Sequence, residues 1–259
     1  MSESINDETR NGEQWGMVID LDRCTGCKAC EVACMAENNL PITGEQAVKE
    51  GNEQKWIRVE RYQYGEFPDV NLEFLPMLCQ QCEEAPCEPV CPVYATYHSE
   101  EAGHLNVQVY NRCVGTRYCA NNCPYNVRYF NWTEATWPEP LDEQLNPDVT
   151  VRDSGVMEKC TFCIQRIDRA QDRAEDEGRQ VQDGEVNPAC VLACPPDAMV
   201  FGDLNDPDSQ VSKMADSDRE YRVFEEKGTR PSVHYLKSLT DEMRPAFDAA
   251  FQSAMEDGE

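Results

Sequence analysis

Hydrophobic and polar residues alternate over two short segments of the chain, Val18 to Leu21 and Val107 to Tyr110. A period of two residues is typical of a β-strand that buries one face. Each segment leads into a turn with a glycine, Gly26 or Gly115, whose permissive backbone lets the chain fold tightly. The pattern therefore predicts two strands, each followed by a tight loop.

Other segments predict further strands and a hairpin. Apolar and aromatic residues recur between polar ones in Lys55 to Tyr64 and in Asn71 to Leu78, a composition that favours strands. Ala95 to His98 and His104 to Tyr110 flank Gly103 and predict a hairpin. We therefore expect strands both before and after that glycine.

Helical patterns are fewer. Ile164 to Gly178 is rich in Arg, Asp, Glu and Ala and predicts a helix with one charged face that ends at a glycine. Residues 132–158 are punctuated by prolines and predict a loop. A second helix is predicted from Asp241 to Met255, where Phe247 and Phe251 lie four residues apart and would face a neighbouring surface.

All fifteen cysteines fall into four groups. In chain order the groups are Cys24, Cys27, Cys30 and Cys34; Cys79, Cys82, Cys87 and Cys91; Cys113, Cys119 and Cys123; and Cys160, Cys163, Cys190 and Cys194. Thr116 stands in the third group where the spacing requires a cysteine. In runs of this spacing three successive thiolates bind one iron-sulfur cluster, and the fourth binds the other cluster of a pair.

Three other uses of cysteine fit the spacing poorly. Disulfide scaffolds are usually small secreted domains, whereas this chain has 259 residues and an odd number of cysteines. Zinc ribbons close a tetrahedral site with two C-x-x-C pairs and need no third cysteine. A thioredoxin-like C-x-x-C would explain one pair and leave the others without a role. Iron-sulfur ligation explains every cysteine.

An internal repeat organises these groups. Val18 to Cys30 aligns with Val107 to Cys119, so that Thr116 falls on Cys27. The segment Val90 to Ala95 likewise resembles Ala193 to Ala198, and each contains a Cys-Pro pair. Two interleaved two-cluster ferredoxin units explain both matches. We therefore expect an α+β fold of two bacterial-type ferredoxin units with inserted hairpins, loops and a C-terminal extension.

The charge narrows the class of partner. The chain has 49 acidic and 23 basic residues, a formal charge of -26, and only seven of the basic residues are lysines. Such a surface repels nucleic acid and anionic membranes, so neither is an expected partner. A salt-rich cytoplasm would explain an acidic, lysine-poor surface, because salt screens the repulsion; an ordinary acidic carrier surface is the alternative.

The hydropathy and the first residues bear on location. The mean hydropathy is -0.67, and no apolar run approaches the roughly 18 residues that a membrane span needs. Residues 1–16 are polar and acidic, without a twin arginine or a hydrophobic leader segment. We expect synthesis in the cytoplasm, no direct membrane span and membrane contact only through partner subunits.

Other side chains are weaker candidates. His98, His104 and His234 belong to no metal-binding motif and are expected at the surface or in packing. Arg117 and Lys28 would place positive charge near clusters or be ordinary solvated side chains. Five aromatic residues near the third cysteine group predict hydrophobic cover for a cluster: Tyr118, Tyr125, Tyr129, Phe130 and Trp132.

The sequence resembles four-cluster ferredoxin subunits. The motifs that carry the resemblance are the cysteine groups, Asp22 to Cys27, Asn146 to Arg152, Gly155 to Cys160 and Gly228 to Val233. Such proteins are the electron-transfer subunits of molybdopterin oxidoreductases of the polysulfide and dimethyl sulfoxide reductase type, and of alternative complex III. The resemblance covers residues 16–237 and is weak for the substrate.

The resemblance implies how the cysteines are shared, with the first group paired to the fourth and the second to the third. One 4Fe-4S cluster would bind Cys24, Cys27, Cys30 and Cys194. A second would bind Cys34, Cys160, Cys163 and Cys190, and a third Cys79, Cys82, Cys87 and Cys123. Cys91, Cys113 and Cys119 would hold a 3Fe-4S cluster beside Thr116; a hydroxyl, water or hydroxide on a fourth iron is the alternative.

The resemblance also implies function and organisation. We expect a non-catalytic subunit that carries electrons between a molybdopterin-type catalytic subunit and a membrane-bound, quinone-reactive subunit, in either direction. The iron-sulfur component of alternative complex III and a free polyferredoxin are the alternatives. The expected segments are an acidic tail (1–16), a first ferredoxin half with inserted strands (17–131), a loop insertion with the last cysteine group that completes the second ferredoxin unit (132–202), and a C-terminal extension (203–259).

Overall fold

The computed structural model describes residues 12–239. Its strands are β1 (Trp15–Asp20), β2 (Ile57–Glu66), β3 (Asp69–Leu78), β4 (Thr96–Ser99), β5 (Leu105–Gln108), β6 (Tyr129–Phe130), β7 (Met157–Glu158), β8 (Met199–Asp203), β9 (Glu220–Tyr221) and β10 (Val233–Leu236). Its α-helices are α1 (Ala29–Glu37), α2 (Gly44–Lys49), α3 (Tyr118–Asn122), α4 (Ile164–Asp176), α5 (Ala189–Leu192) and α6 (Gln210–Ala215). Short elements of both kinds fit the expected α+β class.

The largest sheet joins the two ends of the described chain. Its order is β8-β1-β10-β9, with β1 antiparallel to β8 and parallel to β10. Every residue of β1 is buried, because strands cover both of its edges and side chains pack on both of its faces. Met17 pairs with Phe201 and Ile19 with Met199. Since β1 precedes the first cysteine group and β8 follows the fourth, this pairing brings those two groups to the same end of the sheet.

Two hairpins confirm the strand predictions of the middle region. Strands β2 and β3 pair from Ile57 with Leu78 to Glu66 with Asp69, so they extend closer to the turn than the predicted segments do. Strands β4 and β5 form the hairpin predicted around Gly103. Strand β4 follows the second cysteine group and β5 precedes the third, as β8 and β1 flank the fourth and first groups.

Helix α4 confirms the charged helix predicted from Ile164. Ile167, Ala170 and Ala174 form its buried face, and its arginines lie outside that face, where they are partly or fully exposed. Helix α1 differs from the expected simple loop around a cluster, because the chain becomes helical at Ala29. Cys30 and Cys34 are four residues apart on this helix and are both buried.

Two predicted features lie outside the described residues. They are most of the acidic tail and the helix from Asp241 to Met255 with Phe247 and Phe251. Between residues 12 and 239, none of the helices combines the length and the apolar character required to span a bilayer.

Candidate iron-sulfur sites

All fifteen cysteines carry free thiols, and the structure gathers them into four neighbourhoods. We name them site I (Cys24, Cys27, Cys30, Cys194), site II (Cys34, Cys160, Cys163, Cys190), site III (Cys79, Cys82, Cys87, Cys123) and site IV (Cys91, Cys113, Cys119). Thiols of the same site interact electrostatically: Cys24 with Cys27 and Cys194, Cys34 with its three partners, Cys82 with its three partners, and Cys119 with Cys113 and Cys91. Residues far apart in the sequence therefore meet in space.

The four sites form a row. Cys30 of site I interacts with Cys190 of site II, and Cys79 of site III interacts with Cys160 of site II. Arg128 interacts with thiols of both site III and site IV. The order along the molecule is therefore I, II, III and IV.

Burial distinguishes the middle of the row from its ends. All four cysteines of site II are buried, as are three of site III. At the ends, Cys27 of site I is exposed, and Cys91 and Cys113 of site IV are partly exposed. The row therefore begins and ends near the surface and passes through the core between.

Burial acts strongly on the thiols themselves. It raises the pKa of Cys160 to about 12 and that of Cys34 well above the ordinary thiol value, and the neighbouring thiols of site II raise the pKa of Cys34 further. Burial likewise raises the pKa of Cys30 to about 12. Positively charged iron would hold such thiols as thiolates, because a bound metal outweighs the local cost of the negative charge.

Hydrogen-bond donors point at several sulfurs. The backbone N–H of Ala95 donates to Cys91 Sγ at 3.1 Å, and the N–H of Ala198 donates to Cys194 Sγ at 3.3 Å. Each donor lies four residues after its cysteine, in the two segments that resemble each other. Burial alone would raise the pKa of Cys91, but backbone N–H groups that include Ala95 outweigh it and lower that pKa.

Further donors come from outside the cysteine loops. The Met157 N–H donates to Cys113 Sγ at 3.4 Å, and the Asn38 side-chain amide donates to Cys34 Sγ at 3.5 Å. Donors of this kind stabilise negative charge on sulfur and adjust the redox potential of a bound cluster.

The loops of sites I and IV share a backbone conformation. Gly26 and Gly115 have φ values of +68° and +70°, and Lys28 and Arg117 have φ values of 63° and 62°. A side chain on Gly26 would overlap the Phe74 ring, and one on Gly115 would overlap the carbonyl oxygen of Gly155. Both positions therefore need glycine.

Thr116 occupies the place in site IV that Cys27 occupies in site I. Each follows the loop glycine directly, each is exposed, and a helix begins two residues later, at Ala29 or at Tyr118. The sequence alignment of these two residues is thus matched by their equal positions in equivalent loops.

The donor sets fit iron-sulfur clusters. Each site offers three or four thiols, and thiolate is the soft ligand that such clusters use. A small cavity lies among the four thiols of site III and is lined by Cys79, Cys82, Cys87 and Cys123. Within residues 12–239, no three Cys, His, Asp or Glu side chains converge closely enough to hold a single ion. Thiols that share a cluster stand further apart, since iron and sulfide atoms lie between them.

The structure adds buried charges that sequence reasoning missed. Lys159 is fully buried and interacts with Cys87 and Cys160. Arg128 is 5% exposed, and its Nη2 donates to Cys87 Sγ at 3.0 Å. One signal was present in the sequence: Arg128 interrupts an otherwise mostly apolar stretch five residues after Cys123, and a charge in such a place is usually paired.

Of the weaker candidates from the sequence, some lie against a cysteine site and others are exposed. Tyr125 is buried against site III, where it interacts with Cys82 and Cys123. Tyr118 and Trp132 are more than half exposed, so they cover a cluster less than expected. Arg117 stacks over Phe130 and Trp132, with 5.2 Å and 4.9 Å between its guanidinium carbon and the ring centroids.

Two of the three histidines lie next to each other. His98 and His104 face each other across the β4–β5 hairpin with 3.3 Å between ring nitrogens. His234 is buried, and 2.6 Å separates its Nδ1 from a carboxylate oxygen of Glu220. Neither arrangement touches a cysteine site in the described contacts.

Comparison with known proteins identifies the family to which the chain belongs. Residues 70–139 match the 4Fe-4S dicluster domain family and residues 15–36 a 4Fe-4S binding domain family. The menaquinone reductase iron-sulfur cluster-binding subunit of Nitratidesulfovibrio vulgaris is 47% identical over 86% of this chain and 88% of its own length. The arsenate respiratory reductase iron-sulfur subunit of a Shewanella species is 34% identical over 86% and 96% of the two chains, and a sulfite dehydrogenase subunit of Allochromatium vinosum is 37% identical over 86% and 82%. The chain belongs to the family of iron-sulfur cluster-binding subunits of molybdopterin oxidoreductases.

Proposed function

We propose that this protein carries electrons through four iron-sulfur clusters between a molybdopterin-type catalytic subunit and a quinone-reactive membrane subunit. The observation that carries the proposal is the row of four thiol sites, buried in the middle and near the surface at both ends. A row of this kind lets an electron enter at one surface and leave at another. Family membership supports the same function, because the relatives are electron-transfer subunits of such complexes.

The proposed cofactors are three 4Fe-4S clusters and one 3Fe-4S cluster. Sites I, II and III each offer four thiols, whereas site IV offers Cys91, Cys113 and Cys119. Each bound cluster would supply one-electron redox chemistry. The chain itself supplies the ligands, the N–H donors to sulfur and the burial that excludes water, and it holds no organic substrate in this scheme.

Site IV has three irons in this proposal because Thr116 offers no soft ligand. The equal placement of Thr116 and Cys27 supports the inference that the missing thiol, and not a different loop, sets the number of irons at site IV. A fourth iron held by the threonine hydroxyl or by water is the competing arrangement.

Iron counting together with electron paramagnetic resonance of the oxidised protein tests the site assignment. The wild-type chain should contain about 15 irons and a 3Fe signal, from three four-iron sites and one three-iron site. Thr116→Cys should raise the count to about 16 and remove the 3Fe signal. The matched variant Cys27→Thr should lower the count to about 14 and add a second 3Fe signal.

Each outcome decides between the arrangements. About 16 irons in the wild type without a 3Fe signal would contradict the three-iron site. If Cys27→Thr kept four irons at site I, threonine would be an adequate ligand in this loop. That result would favour a four-iron cluster at site IV as well.

We also propose that two ferredoxin units are interleaved along the chain. One unit would combine sites I and II, and the other would combine sites III and IV. The strand pairing supports this arrangement, because β1 pairs with β8 beside site I just as β5 pairs with β4 beside site IV. Residues 17–131 would form the first ferredoxin half with inserted strands. Residues 132–202 would hold the loop insertion and the last cysteine group, which completes the second ferredoxin unit, and residues 203–259 a C-terminal extension.

The partners can be tested directly. The intact chain should co-purify from detergent-solubilised membranes with a molybdopterin protein and a membrane protein, and remain peripheral to the membrane through them. A monodisperse monomer with no stable partner would instead support a free polyferredoxin. The names of the relatives include reductases and a dehydrogenase, so the partner, and not this chain, would set the direction of electron flow.

A further inference from the structure

Arg128 lies between sites III and IV. Its Nη2 donates to Cys87 Sγ of site III at 3.0 Å, and the same residue lines a cavity beside site IV together with Thr116 and Met157. Its charge also interacts with the Cys119 thiol of site IV. The residue is 5% exposed. One guanidinium thus lies beside the ligands of two neighbouring sites.

The remaining partners of Arg128 are neutral. Nη2 donates to Thr96 Oγ1 and to Asn106 Oδ1, both at 2.8 Å, and Nη1 donates to Gln108 Oε1 at 3.0 Å. All three acceptors belong to the β4–β5 hairpin and fix the plane of the guanidinium. Among residues 12–239, no carboxylate forms an ion pair with it, in contrast to Arg152, which pairs with Glu158.

A buried cation without a carboxylate needs another source of negative charge, because burial of an unpaired charge is costly. The thiolates of the two sites are the anions at hand. Arginine stays protonated at all ordinary pH values, so this positive charge is permanent.

We propose that Arg128 is a positioning residue that raises the redox potentials of the clusters at sites III and IV together. An electron that arrives at either cluster adds negative charge, and a nearby cation in a low-dielectric interior stabilises that charge. Because one guanidinium lies beside the ligands of both sites, its effect is shared, and the two potentials stay close enough for an electron to pass between them. The inference rests on the proposed function, since it assumes that both sites hold clusters.

Three substitutions in the full chain, loaded with iron and kept with its partner subunits, test the inference. Arg128→Gln removes the charge and keeps a hydrogen-bonding amide. Arg128→Lys keeps the charge but loses the planar fork. Arg117→Gln is the matched control, because Arg117 lies in the loop of site IV but is exposed, where solvent screens its charge.

The readout is the midpoint potential of each cluster, from a redox titration followed by electron paramagnetic resonance. Arg128→Gln should lower the potentials of sites III and IV and leave those of sites I and II in place. Arg128→Lys should lower the same two potentials by less. Arg117→Gln should leave all four nearly unchanged.

Several results would overturn the inference. They are a shift in only one of the two sites, an equal shift in all four, or no shift in Arg128→Gln. A merely structural role predicts that Arg128→Lys and Arg128→Gln lose thermal stability equally, without a selective change of potential. If Arg128→Gln does not assemble, the neutral variant Arg128→Met takes its place, because it also removes the charge: a selective fall of the potentials of sites III and IV supports the inference, and unchanged potentials refute it.

The same samples separate this inference from the proposed function. Iron counting of the wild type tests the cluster assignment. A four-iron site IV would correct that assignment, yet the paired shift at sites III and IV would still support the role of Arg128. A wild-type chain that binds no iron would overturn both proposals.

Discussion

Arg152→Met should be one of the most damaging substitutions away from the thiols, because it leaves Glu158 buried without its cation. Both side chains are 1% exposed. Arg152 Nε lies 2.9 Å from Glu158 Oε1, and Nη2 donates to Oε2 at 3.0 Å. Trp56 Nε1 also donates to Oε2 at 3.0 Å. Removal of one partner of such a buried pair costs about 3–5 kcal/mol in the free energy of unfolding.

A second variant separates the buried charge from the lost packing. In Arg152→Met combined with Glu158→Gln, no charge is left alone, and the glutamine oxygen can still accept from Trp56. The backbone oxygens of Thr150 and Asn39, which accept from Arg152 at 2.6 Å and 3.2 Å, still lose their donors. The Asn131 side-chain amide, which donates to Glu158 Oε1, also loses its acceptor, because a glutamine has a single oxygen. The double variant should therefore cost about 3 kcal/mol, from three groups that each lose about 1 kcal/mol. The double variant is therefore expected to be more stable than the single one.

Anaerobic urea unfolding of the cluster-loaded chain, followed by tryptophan fluorescence and by visible absorbance, measures both variants. Lys49→Met is the control, since Lys49 pairs with Glu45 at the surface and exposed pairs contribute about 0–1 kcal/mol. A loss below about 1 kcal/mol in Arg152→Met would refute the reasoning. A double variant less stable than the single one would also refute it, because the penalty would then not arise from an unpaired charge.

Three further predictions follow from the loops, the ion pairs and the net charge. Gly115→Ala should remove the site IV signal in electron paramagnetic resonance, since a Cβ would overlap the Gly155 oxygen, whereas Gly155→Ala, with open space around it, should keep the signal and cost about 1–2 kcal/mol for its positive φ. Hydrogen bonds from Arg166 lower the pKa of Glu37, so Glu37 stabilises the fold above its unfolded-state pKa and this stability is lost as the pH falls through the lowered folded-state value. Glu37→Gln should therefore be less stable than the wild type near neutral pH, with a difference that shrinks in acid-unfolding titrations; a difference that grew in acid would contradict this. With a formal charge of -26, the thermal midpoint should rise from 0.1 M to 1 M KCl, because the screening length falls from about 10 Å to about 3 Å, and a midpoint that fell would show that repulsion does not limit stability.

The local elements were predictable because short-range chemistry determines them. The alternation in Lys55 to Tyr64 and Asn71 to Leu78 led to the hairpin β2–β3, and the pattern from Ile164 led to α4. The spacing of the cysteines placed ligands in loops, and the repeat placed Thr116 opposite Cys27. In each case the pattern of residues within a short segment carries the information.

Long-range pairing was less accessible to sequence reasoning. The parallel pairing of β1 with β10 joins segments more than 200 residues apart, and no turn motif in the sequence indicates that pairing. The predicted loop 132–158 is held by the side chain of Asn39, which donates to Asn146 O and accepts from Asn146 N–H, both at 2.8 Å. An asparagine in a sequence gives no sign of such a distant partner. Helix α1 was not predicted for another reason. Its cysteines indicated a cluster loop, so the helical spacing of Cys30 and Cys34, four residues apart, was not read as a helix.

The position of the missing cysteine itself follows from burial. Of the fifteen cysteines only Cys27 is exposed, and Thr116 takes the equivalent place in the other end loop. A threonine hydroxyl at a buried ligand position would need a new hydrogen-bond partner in the core, at a cost of about 1–3 kcal/mol if none were found. At the exposed position solvent satisfies the hydroxyl, so the fold tolerates the change. The two ends of the row are therefore the places where a ligand can be exchanged at least cost to the fold, whereas site II, with all its cysteines buried, and site III, with three buried, keep all four thiols.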